Sequence, residues 1–245
     1  MTARLNVLSL FSGIGGLELG LERAGMTVVG QVEIDPYARS VLARHWPEVP
    51  RHDDVRTAIA WWHSQPRPPV DLVAGGFPCQ PVSEAGKRLA QDDERWLWPA
   101  MHAVILALRP RWVLWENVSG LLTRGLDIVH TDLIRAGYRH RVGWATACAV
   151  GAPHMRRRLL GVAHTQSHRR DRIGTTGPQT PPMEPARRRP QPGRTWPTQP
   201  RPVGVAHGIP RGMDRRRALG NAILPDIAEH MGRLIHTADR HQPAA

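Results

Sequence analysis

Two rhythms of apolar and polar positions alternate along the first two thirds of the chain. From residue 4 to about residue 163, short apolar runs rich in Val and Leu are interleaved with stretches whose apolar residues recur every three or four positions. The short runs predict strands over Arg4–Leu10, Thr27–Glu33, Val70–Gly75, Trp112–Trp115, Arg141–Val150 and Leu159–Ala163. The periodic stretches predict helices over Gly15–Ala24, Tyr37–His45, Trp96–Leu108 and Leu126–Ala136. Local punctuation agrees with this division. Gly25 stands just past the C-cap of the first helix, and Asp35-Pro36 supplies an N-cap and a first helical residue for the second. Strands separated by helices imply an α/β, Rossmann-like fold with a mostly parallel sheet covered on both faces.

At His164 the texture changes. Residues 164–211 are dense in Pro, Arg, Gly and Thr, with hardly any apolar run. Two readings stand side by side: a disordered linker or a small loop-rich module. Order is expected again over Met213–Ile235, where Pro225 suits a first helical position. The organisation expected is therefore a domain over 1–163, a short region over 164–212, a C-terminal segment over 213–238 and a tail over 239–245.

Composition narrows the partners. The 245 residues are 41% hydrophobic, enough for a sizeable core, and carry a formal net charge of +12. Lys87 is the only lysine; every other strong base is arginine. Residues 164–245 hold 14 Arg against 6 acids, a balance of +8, which makes the final third the expected contact for a polyanion. Two cysteines, Cys79 and Cys148, do not make a disulfide framework and fit a reducing cytoplasm. The longest clean apolar run, Ala103–Leu108, is far short of the ~18 residues a membrane span needs. Leu5–Leu21 is apolar, but its glycines and Glu18 argue against a signal peptide.

The first candidate site is the turn Phe11-Ser12-Gly13-Ile14-Gly15-Gly16, between a strand and a helix. Glycines there permit close approach of a ligand to the backbone. Twenty residues after Gly13, Glu33 ends the second strand, placed to accept from both hydroxyls of a ribose. A dinucleotide fingerprint would have a third glycine where this chain has Glu18, which is expected to repel a pyrophosphate. A nucleoside without phosphates, such as S-adenosylmethionine, is the better match. Asp54 is a further acid that could accept from an adenine amino group.

The second candidate site follows the third long strand. Gly75-Gly76 opens into Phe77-Pro78-Cys79-Gln80-Pro81, at the sheet edge where open α/β folds bind ligands. Prolines flanking Cys79-Gln80 stiffen this loop, and its composition places Cys79 at the surface, whereas Cys148 is expected as a small buried hydrophobe in its strand. A thiolate is suited to attack C6 of a pyrimidine. Such attack needs relief of charge on the ring, and Glu116, ending the next strand in Trp115-Glu116-Asn117-Val118, offers a carboxyl for N3.

With the glycine loop, Pro-Cys and Glu-Asn-Val in this order, the chain resembles the DNA cytosine-5 methyltransferase family. Pro153-His154-Met155-Arg156-Arg157-Arg158 is similar to that family's Gln-x-Arg-x-Arg motif, with Arg156 and Arg158 on its arginines and His154 in place of glutamine. Gly220-Asn221-Ala222-Ile223-Leu224-Pro225 resembles its late Gly-Asn element. The matches span residues 5–163 and 213–235. The resemblance implies a methyltransferase fold with a small target-recognition region at 164–212. It also implies an S-adenosyl-L-methionine site built from Phe11, Ser12, Gly13, Gly15, Gly16, Glu33, Ile34, Asp54, Val55, Pro78, Asn221 and Ala222. Cys79 and Glu116 would be catalytic together with Arg156 and Arg158. Gln80, Ser83, Asn117 and the same two arginines would contact the substrate. It further implies flipping of the target base from double-stranded DNA, no metal, a monomer, and an optional cognate restriction endonuclease. Val82 departs from the family, which has Phe or Trp there. One branch of the family modifies tRNA, with a Pro-Phe-Thr continuation where this chain has Pro81-Val82-Ser83, so DNA is the preferred substrate. The thin region at 164–212 would also suit a weakly active DNA-binding remnant. An oxidoreductase on the same fold is disfavoured by Glu18.

Overall fold

A computed structural model describes residues 4–78, 96–150, 156–165 and 222–240. Cys79, Gln80, Ser83, Val82, His154, Asn221 and nearly all of 164–212 lie outside the described residues.

The first half is a repeated strand–helix unit. β1 (Asn6–Leu10) leads through the glycine turn to α1 (Gly16–Arg23), followed by β2 (Thr27–Val32) and α2 (Pro36–His45). The expected punctuation holds: Gly25 takes φ 94°, and Asp35 caps α2 by accepting from the Tyr37 and Ala38 N–H groups. A two-residue strand β3 (Arg51–His52), a 3-10 turn (Val55–Thr57) and α3 (Ala58–His63) come next. β4 (Leu72–Gly75), α4 (Trp98–Leu108), β5 (Trp112–Asn117), α5 (Leu121–Arg124), α6 (Leu126–Arg135), β6 (Tyr138–Thr146) and β7 (Arg157–Thr165) complete the sheet, and α7 (Pro225–Arg240) returns to it from the C-terminal end.

The seven strands form one sheet in the order β3-β2-β1-β4-β5-β7-β6. Neighbours are parallel from β3 to β5; β7 is antiparallel to both β5 and β6. The strand order reverses between β1 and β4, the switch point where such sheets open a crevice at their carboxyl edge. The register brings the strand ends level there: Leu10 pairs with Val32 and with Gly75, and Gly75 pairs with Trp115.

Period-two burial on both faces explains the continuous apolar runs. Val73, Val113 and Trp115 face a core completed by α3, α4 and α6, while Leu72, Ala74, Trp112 and Leu114 face one completed by α1 and α7. α7 is held at both ends of its apolar stripe. Gly20 lets α1 and α7 touch main chain to main chain, because a Cβ there would overlap the Pro225 carbonyl and Ala228. At the far end, Trp112 Nε1 donates to Asp239 Oδ1 at 2.9 Å, and Arg111 pairs with the same oxygen at 2.9 Å.

One expectation fails. Ala147–Val150 is a 3-10 turn rather than the end of β6, and Cys148 is exposed, not a buried core residue. The described pairing of β6 with β7 ends at Thr146, opposite Arg157, and Ala147 N still donates to the Arg156 carbonyl at 3.2 Å before the chain turns into the 3-10 segment. Cys148 is turned outward as the chain curls.

Substituting Gly20→Ala tests the α1–α7 contact. Helix propensity alone would stabilise an exposed helix by about 1 kcal/mol; overlap with Pro225 and Ala228 should instead lower the unfolding free energy by roughly 1–3 kcal/mol. A raised urea midpoint would show that the helices are not in close contact.

Candidate active site

The level strand ends deliver four loops to one edge. Beyond β1, the backbone of Phe11, Gly13 and Gly15 takes positive φ values of 55°, 55° and 90°. For Phe11, a non-glycine residue, this is a strained conformation of the kind that collects at ligand sites. The turn is fastened internally: Ser12 N donates to Val32 O, Gly13 N to Glu33 Oε2 at 2.7 Å, and Gly15 N to Ser12 O. Beyond β2, the other Glu33 oxygen accepts from Asp35 N at 2.8 Å. Each oxygen of a carboxylate accepts two hydrogen bonds, so one acceptor position per Glu33 oxygen remains for a vicinal diol.

These loops enclose a cavity of about 420 Å³, within the range of small-molecule sites. Of the residues expected to bind cofactor, Phe11, Ser12, Gly13, Gly16, Glu33, Ile34, Asp54, Val55, Pro78 and Ala222 line it. Gly15 does not: a Cβ on it would enter the Trp46 ring, so it packs the loop onto α2. Gly16 faces the Ile223 carbonyl closely enough to exclude a Cβ, which is how the C-terminal segment closes this wall. Ile34 is 65% exposed at the cavity, an apolar face that a flat heterocycle would cover. Asp54 also caps the 3-10 turn through Arg56 N at 2.9 Å.

Sequence reasoning missed other lining residues, among them Leu17, Asp35, Asp53, Gly76, Leu97 and Ile223. Asp53 was adjacent to a named acid; Leu97 carries no local signal and arrives only because α4 starts beside the Pro78 carbonyl. The expected role of Glu18 needs correction. Glu18 is fully buried and does not line the cavity, so it does not meet a pyrophosphate. A phosphate is disfavoured for another reason. Three loop N–H groups that could cradle it, those of Ser12, Gly13 and Gly15, are committed to Val32, Glu33 and Ser12, and on the wall Glu33, Asp35, Asp53 and Asp54 outnumber Arg56.

At the other end of the cavity stands Glu116, lying over Gly76, where a Cβ would meet its Oε2 at 3.0 Å. Arg158 Nε lies 2.7 Å from Glu116 Oε1. Burial raises the Glu116 pKa, and the charges of Arg158 and then Arg156 pull it back only in part. The outcome is a carboxyl whose neutral form is favoured beyond the ordinary carboxylate range, able to share a proton with a ring nitrogen. Burial lowers the pKa of Arg156, whose guanidinium donates to the Ala222 carbonyl at 2.6 Å. Arg156 thus ties the start of β7 to the C-terminal wall.

Asn117, expected among the substrate contacts, is only 4% exposed and braces the loop. Its Nδ2 donates to the Phe77 carbonyl at 2.9 Å, and its Oδ1 accepts from Val118 N at 2.9 Å. The end of β5 thereby fixes the main chain two residues before Cys79.

A mostly parallel sheet with β7 inserted antiparallel between β5 and β6, an acid just beyond β2 and a largely buried carboxyl near the end of β5 match the methyltransferase class of α/β proteins. A model of C-5 cytosine-specific DNA methylases matches residues 5–201, and the chain belongs to that family. Type II methyltransferase M2.BsuMI of Bacillus subtilis is 35% identical over 168 residues, covering 65% of this chain and 42% of that protein. Type II methyltransferase M.NgoMIV of Neisseria gonorrhoeae is 33% identical over 160 residues, covering 64% and 50%. Among solved structures, a putative DNA modification methyltransferase encoded within an E. coli prophage superposes with a TM-score of 0.57 at 30% identity, over 66% of this chain and 47% of that one. Spodoptera frugiperda DNMT2 gives a TM-score of 0.54 at 25% identity, over 71% and 56%. The chain therefore spans about half the length of the relatives it matches.

Replacing Asn117 by Asp keeps the side-chain shape but sets a carboxylate oxygen against the Phe77 carbonyl. Stability should fall by about 2 kcal/mol or more, with faster amide hydrogen exchange at Phe77. Exchange and stability both unchanged would mean that Asn117 does not hold the loop.

Proposed function

We propose that the cavity binds S-adenosyl-L-methionine and that the chain transfers its methyl group to C5 of cytosine in double-stranded DNA. The observation that carries this reading is the shared cavity: the diol-accepting Glu33 at one end, the proton-favouring Glu116 at the other, and Pro78, next to Cys79, between them. Glu33 would hold the ribose hydroxyls, Ile34 the face of the adenine, and Asp54 its amino group. The acidic wall suits a ligand with a net positive charge. Bound there, the cofactor supplies an electrophilic methyl on a sulfonium.

The chain's own residues would do the rest. The Cys79 thiolate forms a bond to C6 as the C5–C6 double bond opens. Glu116 hydrogen-bonds N3 and so spreads the charge reaching the ring. Arg158 and Arg156 keep Glu116 in place and offer donors to the flipped-out nucleotide. C5 then takes the methyl, loses its proton to a base, and expulsion of the Cys79 thiolate restores the double bond. Gln80 and Ser83 are assigned to the same substrate side, Asn117 to positioning the loop, and residues 164–212 to target recognition. A cognate restriction endonuclease is the partner this activity would have in a Type II system.

Transfer of labelled methyl groups from S-adenosyl-L-methionine to genomic DNA, with tRNA as the comparison, tests the reading. Label should enter DNA at C5 of cytosine; label in tRNA alone would assign the RNA branch, and none in either would sink the enzyme reading. Cys79→Ser should abolish turnover and leave cofactor affinity within about twofold, since a nucleophile that acts only in the transition state adds nothing to ground-state binding. Glu33→Ala removes two charge-assisted hydrogen bonds and should raise the dissociation constant at least tenfold, or roughly 1.4 kcal/mol. An unchanged constant would remove the ribose assignment.

A further inference from the structure

Beneath the glycine loop, between α1 and the sheet, the chain buries a group of polar side chains on a face that is otherwise apolar. Ser9, Glu18 and Gln31 are fully inaccessible, and Ser12 is nearly so. Ser9 and Gln31 are register partners on β1 and β2, and the Ser12 hydroxyl donates to Ser9 Oγ at 3.1 Å. The Ser9 and Ser12 hydroxyls approach the Glu18 carboxyl and ease its charge. Neither Glu18 oxygen, however, completes a hydrogen bond with a described residue, and nor does Gln31 Nε2. An ionised carboxyl is costly in such a place. Burial lifts the Glu18 pKa to about 7, and the charge of Glu33 adds to the rise.

Charges from the surrounding elements leave Glu33 as the one that bears on Glu18 among the described residues. On α7, Pro225 and Ala228 meet α1 at Gly20, and the Glu229 carboxylate is engaged by Arg233. From β3, Arg51 reaches Gln31 Oε1 at 3.4 Å rather than Glu18. Glu18 is therefore a buried carboxyl without a fixed cation among the described residues. Ser12 belongs both to this group and to the cavity wall, so one residue connects Glu18 to the cavity.

We propose that the Glu18 carboxyl is a buried counter-charge by which the cavity distinguishes a cationic S-adenosyl donor from its neutral thioether product. The inference rests on the proposal that the cavity binds S-adenosyl-L-methionine. The sulfonium of S-adenosylmethionine carries a positive charge that S-adenosylhomocysteine lacks. Ionised Glu18 attracts the first and is indifferent to the second; protonated Glu18 treats them alike. Donor binding near neutral pH therefore shifts Glu18 toward its carboxylate and releases part of a proton. When the charge leaves with the methyl group, Glu18 takes a proton back from solvent, and the product loses the attraction that held the donor. The sign follows from linkage: the preference for the donor is absent well below pH 7 and grows as pH rises through 7.

Calorimetric titration of the full chain with each ligand at pH 6, 7 and 8, in buffers of different ionisation enthalpy, tests this. The ratio of product to donor dissociation constants should rise roughly fivefold across that range. Proton release should accompany S-adenosylmethionine but not S-adenosylhomocysteine. Glu18→Gln should flatten the ratio and abolish the release; if that variant does not fold, the proton count of the unaltered chain decides alone. A ratio independent of pH, or a pH dependence that survives in Glu18→Gln, overturns the proposal while leaving cofactor binding intact. Failure of both ligands to bind at every pH removes the cofactor reading and this inference with it.

Discussion

The level register of β1, β2, β4 and β5 is the constraint from which the site follows. Because Leu10, Val32, Gly75 and Trp115 lie side by side, the residues after each strand emerge at the same height. Glu33, the glycine turn, Pro78 and Glu116 meet at one cavity for that reason. A one-residue slip in any ladder would turn the strand's side chains to the other face and send its loop residue away from the crevice. Glu116 shows this plainly: it sits over Gly76 because both follow the paired positions Gly75 and Trp115 by one residue.

Two carboxyls near this edge, Glu18 buried and Glu116 largely so, are tuned by different surroundings. Glu116 has arginines beside it, and burial still wins, holding its pKa above the ordinary value. Among the described residues no cation bears on Glu18; the Ser9 and Ser12 hydroxyls ease its charge, burial and the like charge of Glu33 oppose it, and its pKa rises to about 7. Pairs of acids pushed to different degrees by their environments are the pattern by which one fold divides proton-holding tasks. Glu33, in contrast, is tied by two main-chain N–H groups and retains one acceptor position on each oxygen.

The cavity is also a product of long-range closure. α7 brings Ala222 and Ile223 against Gly16 from the far end of the chain, with Arg156 bonded to the Ala222 carbonyl. Small residues at the α1–α7 contact and the Asp239 anchor at Trp112 make this a packed joint. The wall that the C-terminal segment completes therefore depends on helix packing remote from the chemistry.

Much of this was legible in the residues. Alternating rhythms, the Asp35-Pro36 start and the Gly25 stop located the strands and helices, because burial on both faces and capping are local demands. Motif spacing placed Glu33, Glu116 and the glycine turn at strand ends. What the sequence could not say was what each polar side chain would spend its hydrogen bonds on. Glu18 looked like a guard against pyrophosphate and is instead buried below the loop; Asn117 looked like a substrate contact and braces Phe77; Cys148 looked like core and is exposed. Each of these outcomes turns on a partner distant in the sequence or on where a neighbouring strand begins. Local pattern determined which residues reach the edge of the sheet. Only the tertiary structure decided which of them face the cavity, because that depends on register and packing between segments far apart in the chain.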